Sequence, residues 1–395
     1  MSFESFLASM PAPSEAAMAH SEELAALIRS EIEGAGGSIG FDRYMDLSLY
    51  APGLGYYAAG ARKFAESGDF VTAPEISSLF SVCLAKQVAE ILALIGGGDI
   101  VEVGAGTGAL AGDLMQALLE IDAPPRRYLI LETSADLKQR QMERIKEKFP
   151  ASVPYIDWID GFPHGGLHGV LIANELLDAF PASRFQIVGE TISEVAVGWD
   201  KDRFVWINRR PGESLEQYIN TILDTMPHAL PSGYVSDLSM IREAWLLEML
   251  RHLKKGVALL FDYGYTRVEY YHPQRIDGTL SCYYRHRVHD NPFVFHGLQD
   301  ITTHVDFTAL ASVARRAHAQ ILGFTTQANF LLSTGVLEWV NEVVPGSREH
   351  VNLTSQLKRL ILPGEMGELV KVLALSQGVD HQLTGFFERD AMGQL

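Results

Sequence analysis

The stretch Ile100-Val101-Glu102-Val103-Gly104-Ala105-Gly106-Thr107-Gly108-Ala109-Leu110 decides how the rest of the chain is read. A short run of β-prone residues, interrupted by one carboxylate, leads into alternating glycines and then into a helix-forming segment. That pattern predicts a strand, a tight turn and a helix whose N-terminal backbone amides face a nucleotide-like ligand.

The glycines alone leave two ligands open, because Gly104, Gly106 and Ala109 also satisfy the G-x-G-x-x-G/A turn of dinucleotide enzymes. Glu102 shifts the balance. S-adenosylmethionine carries a sulfonium and an ammonium and no pyrophosphate, so a carboxylate beside the turn suits it better than it suits NAD. The form E-x-G-x-G-x-G resembles motif I of the class I methyltransferases. It implies an α/β fold with a class I, Rossmann-like sheet.

The flanking sequence supplies the elements of such a sheet. Apolar residues at helical spacing predict a helix over 78–95 that ends at Gly96-Gly97-Gly98, directly before the strand. A helix over 110–119 follows the turn, and Arg127-Tyr128-Leu129-Ile130-Leu131-Glu132 reads as a second strand. The carboxyl end of a second strand lies beside the first turn in a doubly wound sheet, so Glu132 is expected to accept the ribose hydroxyls, with Thr133 beside it. After a Lys- and Arg-rich helix over 134–149, Val153-Pro154-Tyr155-Ile156-Asp157-Trp158 reads as the third strand and the turn after it. In class I methyltransferases that turn packs on adenine, which makes Asp157 and Trp158 candidate contacts.

The fourth strand is expected over 169–174, placing Asn174 and Glu175 at its carboxyl end, where a methyl acceptor would sit. Base-amine methyltransferases carry D/N-P-P-Y there, and this chain has Asn174-Glu175-Leu176-Leu177, so a nucleobase acceptor loses support. Alternating residues over 189–207 predict an inserted hairpin. A short strand over 230–235, a helix over 239–253, a buried fifth strand over 256–264, a strand-like stretch over 278–286, a helix over 306–317 and a last strand over 369–375 complete the reading.

Before the core, helical spacing predicts a helix over 21–32 with Ser21 as N-cap, and a second from Asp42 to the break at Pro52-Gly53. The Gly-, Pro- and aromatic-rich segment from Gly53 to Ser77 has no clear period. It reads either as an ordered loop covering the site or as a connector whose Tyr56, Tyr57 and Phe70 anchor a core, with Glu75 as a charge in a first helical turn. The expected organisation is an N-terminal helical and loop region over 1–95 and a methyltransferase core over 96–395, with an insertion at about 182–253 and C-terminal strands.

Composition narrows the class. The 49 acidic and 32 basic residues leave a net charge of −17, which opposes general nucleic-acid binding and suits a basic protein segment as partner. Cys83 and Cys282 cannot form a disulfide framework. The N-terminus lacks a signal-peptide pattern, apolar runs such as 257–261 are too short to span a bilayer, and a reducing, cytoplasmic setting is expected. His286, His289, His296 and His304 lack metal-ligand spacing, so no metal is expected.

Several segments together resemble the MidA-like methyltransferase family, which includes a mitochondrial assembly factor that methylates an arginine on a respiratory complex I subunit. They are Tyr50-Ala51-Pro52 with Gly55-Tyr56-Tyr57, Gly68-Asp69-Phe70-Val71-Thr72-Ala73-Pro74-Glu75-Ile76-Ser77, residues 101–110 and 174–181, Asp262-Tyr263-Gly264, residues 278–286, and Gln299-Asp300-Ile301-Thr302 with His304-Val305-Asp306-Phe307-Thr308. The resemblance implies methyl transfer from S-adenosylmethionine, leaving S-adenosylhomocysteine, to arginine on a protein. It implies donor contacts from Thr72, Pro74, Glu102, Gly104, Gly106 and Gly108. Leu176-Leu177 and Phe180 depart from the family pattern beside the acceptor pocket.

A guanidinium is protonated and poorly nucleophilic, so carboxylates must orient it and help its proton depart. Glu75 and Glu175 are expected in that role, with Asn174 positioning and Asp178 in support. Three other readings share parts of the pattern: a small-molecule or lipid O- or N-methyltransferase, an NAD-dependent dehydrogenase, and a non-catalytic assembly factor that binds the donor.

Overall fold

The computed structural model describes residues 10–58 and 72–395. The Gly68-Asp69-Phe70-Val71 part of the family-like segment and the extreme N-terminus lie outside the described residues. The chain divides into two compact units, one of residues 71–177, 243–266 and 305–395 and the other of residues 1–70, 178–242 and 267–304. This differs from a boundary at 95/96, because the helix before the glycine turn packs into the sheet unit.

The sheet unit is built on β1 (Asp99–Val103), β2 (Tyr128–Leu131), β3 (Ile156–Ile159), β4 (Leu167–Asn174), β5 (Leu253–Tyr265), β6 (Gln320–Thr326) and β7 (Val370–Gln377). They lie in the order β3-β2-β1-β4-β5-β7-β6, with the short strand Val305–Asp306 pairing beside β5. The pairs β2–β3, β1–β2, β1–β4 and β4–β5 are parallel, and β7 runs antiparallel to both neighbours. Strand order therefore reverses at β1 and β4, and the carboxyl ends of these two strands form the switch point at which open α/β sheets bind ligands.

Five helices matter here: α1 (Ala73–Ile76), α2 (Ser78–Ile95), α3 (Ala109–Glu120), α4 (Ala135–Lys148) and α5 (Phe307–Arg316). The Ser77 hydroxyl caps α2 at the Leu79 amide, and Gly96 in the left-handed region ends it, as its glycine run predicts. By length and composition α2 could cross a membrane, contrary to the expectation that no apolar stretch is long enough. Its Leu84, Val88 and Ile91 are instead buried in one core with Ile100 of β1 and Phe261 of β5. The third strand starts later than expected, at Ile156, because Pro150 and Pro154 lack amide hydrogens and 150–155 forms a 3-10 turn. β6 was not expected: its register shifts between Ile321 and Gly323, which breaks the alternation that would mark a strand.

In the other unit, the helix Glu15–Gly34 starts six residues before the expected N-cap and is capped by Ser14, whose hydroxyl accepts from the Ala17 amide. The helix Phe41–Tyr50 packs with it around Leu24, Ile28, Tyr44 and Phe204. The expected hairpin forms as part of a larger sheet in which Thr191–Asp200 pairs with Ser183–Val188, with Arg203–Arg209 and with Ser38–Ile39. Lys201 and Asp202, at φ of 47° and 63°, make its tight turn. The short strand expected over 230–235 lies at Val235–Leu238, and a separate three-stranded sheet contains Ser281–Tyr284.

Candidate active site at the carboxyl ends of the sheet

Between β1 and α3, Gly104, Gly106 and Gly108 all take left-handed φ values of 70°, 51° and 75°. Such values strain any side-chain-bearing residue. A Cβ on Gly104 would stand 2.7 Å from Leu176 Cδ1, whereas one on Gly106 would meet nothing within 4 Å. The Gly106 backbone is thus open to close approach from outside the turn.

Glu102, two residues before the turn, is buried. It is 3% exposed and accepts a 2.7 Å hydrogen bond from the Tyr128 hydroxyl. Burial pushes its carboxyl up to about 7, the Tyr128 hydrogen bond opposing the rise and the Glu132 charge adding to it. Glu102, expected as a donor contact, thus lies in a strand that is buried along its whole length, with its carboxylate held by Tyr128.

Glu132 follows β2 and is buried beside the turn. One carboxylate oxygen accepts from the Ser134 amide at 2.9 Å and the other from Gln141 Nε2 at 3.1 Å. Gln141, on α4, also donates to the Gly106 carbonyl at 3.0 Å and accepts from Trp158 Nε1 at 2.8 Å. One fully buried side chain thus joins the turn after β1, the acid after β2 and the indole on β3. Gln141 was not singled out in the sequence, where it sits in a run of Lys, Gln and Arg. Its spacing to Ile145, the other buried residue of α4, is the signal that finds it. Thr133 lies exposed between Glu132 and the Ser134 cap of α4.

Trp158 belongs to this group and Asp157 does not. Asp157 lies within β3, opposite Leu129, and is exposed, its charge acting on Arg127 at the start of β2. Alternation along the strand sends it to the face opposite Trp158.

At the end of β4, Glu175 holds a φ of 48°, uncommon for a residue with a side chain. Asp262 on β5 maintains that bend: its Oδ2 accepts from the Leu176 and Leu177 amides at 3.1 and 2.7 Å, and its Oδ1 from the Tyr263 amide at 2.8 Å. The Glu175 carboxylate accepts from the Ala73 amide at 2.9 Å and from Asn174 Nδ2 at 3.2 Å. The Asn174 side-chain oxygen is buried without a hydrogen-bond partner. Thr72 caps α1, Pro74 is buried in its first turn, and Glu75 is exposed. Glu75 accepts from the Thr107 hydroxyl of the glycine turn at 2.9 Å, and Arg144 donates to the same hydroxyl at 3.3 Å. The sheet unit therefore gathers Thr72, Glu75, the glycine turn, Asn174 and Glu175 at the carboxyl ends of β1 and β4.

Asp178 falls in the other unit. There it is buried, with its carboxyl pushed up to about 6 by desolvation against the opposing charge of Arg242. Arg242 itself donates to the His304 and Thr303 carbonyls. Asp178, expected in support of Glu175, thus lies in the unit that also holds Arg242, whose charge acts on it. Among the described residues no group of three or more His, Cys, Asp or Glu side chains gathers to hold a metal ion.

Comparison with known proteins agrees with this geometry. The model of the S-adenosyl-L-methionine-dependent methyltransferase family Methyltransf_28 matches residues 83–325. A COG1565 superfamily member from Burkholderia thailandensis, solved bound to S-adenosyl-homocysteine, is 39% identical, covers 98% of this chain and 100% of its own, and superposes with a TM-score of 0.92. Curated relatives include the protein arginine methyltransferase NDUFAF7, mitochondrial, of Homo sapiens, 28% identical over 90% of this chain and 83% of its own length. The Caenorhabditis elegans homolog of that protein is 27% identical over 86% and 83%. These relatives are named as mitochondrial, which overturns the cytoplasmic expectation. Buried thiols and an acidic composition suit any reducing interior, so neither could separate one compartment from another. The sheet order, the glycine turn and the family match agree: the chain belongs to the Methyltransf_28 family of S-adenosyl-L-methionine-dependent methyltransferases.

Proposed function

We propose that this enzyme methylates an arginine side chain of a protein, a complex I subunit being the acceptor that the family resemblance implies. The observation that carries the reading is the gathering of Glu75, Asn174 and Glu175 at the ends of β1 and β4, where α1 bonds through Glu75 to the glycine turn and through the Ala73 amide to Glu175. The names of the human and C. elegans relatives support the same acceptor class.

The residues present fit the donor. Gly106 leaves its backbone open, Glu132 offers a carboxylate to ribose hydroxyls beside it, and Trp158 supplies an aromatic surface near the same group. Thr72, Pro74, Gly104, Gly108 and Thr133 are the further donor contacts proposed. When bound, S-adenosylmethionine supplies a methyl carbon made electrophilic by its sulfonium. The protein's own work is to bring a nitrogen in line with that carbon and keep water out. Glu75 and Glu175 hold the guanidinium by charge-assisted hydrogen bonds, and Asn174, which donates to Glu175, positions that carboxylate. A carboxylate then receives the proton as the nitrogen is methylated.

Incubating the protein with methyl-labelled donor and a lysate lacking its gene tests the acceptor class. Label in acid-precipitated protein is expected. Label recovered only in small molecules or lipid would replace the proposal with the corresponding O- or N-methyltransferase.

A further inference from the structure

We infer that Gln141 is the residue that positions the nucleoside end of the donor site, by holding the Gly106 carbonyl, the Glu132 carboxylate and the Trp158 indole in one group. The inference rests on the proposed reading of Glu132 as the ribose ligand.

Polarity fixes the arrangement. An indole N–H can only donate, so the Gln141 amide oxygen must face Trp158, and its NH2 must then face the two acceptors, Gly106 O and Glu132 Oε2. No other rotation of the amide satisfies all three partners.

A neutral amide also suits the charge of the place. Glu102 lies near enough to Glu132 for its own carboxyl to feel that charge, so a further carboxylate would add repulsion. A lysine would draw Glu132 into an ion pair and away from neutral hydroxyls. The glutamine gives one N–H to one oxygen and leaves the remaining lone pairs of Glu132 for a ligand. The fit is tight as well: Gly108 approaches the Gln141 stem so closely that a Cβ there would stand 3.2 Å from its Cγ. The third glycine of the turn therefore makes room for the side chain that fixes the second.

The test uses the full-length protein, with S-adenosylhomocysteine and 5′-methylthioadenosine titrated calorimetrically against wild type, Gln141→Met, Glu132→Gln and Trp158→Phe. Methionine nearly conserves the volume of glutamine while removing every hydrogen bond. It is expected to weaken both ligands by the same factor, about 10-fold. The indole N–H resonance of Trp158, assigned by its loss in Trp158→Phe, is expected to move upfield and exchange faster with solvent in Gln141→Met. Glu132→Gln is expected to weaken both ligands while leaving that resonance in place. Wild-type affinity in Gln141→Met alongside weakened Glu132→Gln would leave Glu132 its role and overturn the one given to Gln141. Unchanged affinity in Glu132→Gln would remove the ribose reading and the inference with it. Should Gln141→Met fail to fold, Trp158→Phe, which frees the amide to rotate, is expected to bind about 3-fold more weakly. Unchanged affinity in that variant would overturn the inference.

Discussion

Around β1–β3 the polar side chains Glu132, Gln141 and Trp158 bond to one another, and Glu102 is sealed against Tyr128. At the end of β4, Glu75 is exposed, Glu175 bends through a left-handed φ, and the Asn174 oxygen has no partner. The first region is finished within the protein, as a surface that must fit one rigid nucleoside should be. The second is held in place but leaves the buried Asn174 oxygen unsatisfied. Under the proposed function, preorganisation of this kind puts the strain on the acceptor side and the rigidity on the donor side.

The comparison breaks most easily on the acceptor side. Replacing both Glu75 and Glu175 by Gln is expected to lower methyl transfer to protein by roughly 10²- to 10⁴-fold, with S-adenosylhomocysteine affinity within about 3-fold of wild type. Labelled-methyl incorporation and calorimetry measure the two sides separately. Equal losses in both would show that the carboxylates serve the donor.

Next in size is the turn. In Gly106→Val a β-branched residue must adopt the left-handed region and fill the open side of the backbone, and S-adenosylhomocysteine binding is expected to weaken roughly 100-fold. Thermal unfolding should show a folded protein, because the added Cβ meets nothing of the chain itself.

A smaller effect is expected below the turn. Glu102 titrates near 7 in the folded protein, well above its ordinary value of 4.5, so the folded state binds a proton more tightly than the unfolded one. Stability associated with this group is therefore full below the ordinary carboxylate range and falls as pH rises toward about 7. Glu102→Gln should flatten that fall and stabilise the protein at pH 8 by up to about 3 kcal/mol, while changing ligand affinity less than about 3-fold. Chemical denaturation at pH 5 and pH 8 provides the check. A large loss of affinity in this variant would return Glu102 to the ligand.

The donor side was the more legible in sequence, and the reasons are physical. A glycine turn needs particular φ values, a strand-end acid needs only its strand, and both are local; Gly104, Gly106, Gly108 and Glu132 were read for that reason. Helix α2 was read to its observed bounds because caps and apolar period agree there. What escaped depends on contacts distant in the chain. Gln141 resembles any surface glutamine until the strands around it are placed, and Asp262 acts through amides more than eighty positions away. The start of β3 was misplaced because the prolines before it delay the strand, leaving Asp157 inside it. Asp178 follows the β4 motif in sequence but belongs to the other unit, a division that a local pattern does not carry.

The central claim, that the acceptor is arginine, is tested most directly by hydrolysing the protein labelled in a gene-deleted lysate and identifying the methylated amino acid by mass spectrometry. The account predicts methylarginine that appears with wild type and disappears with the Glu75→Gln, Glu175→Gln double variant. Label on lysine, on a carboxyl group or on a non-protein compound would contradict it.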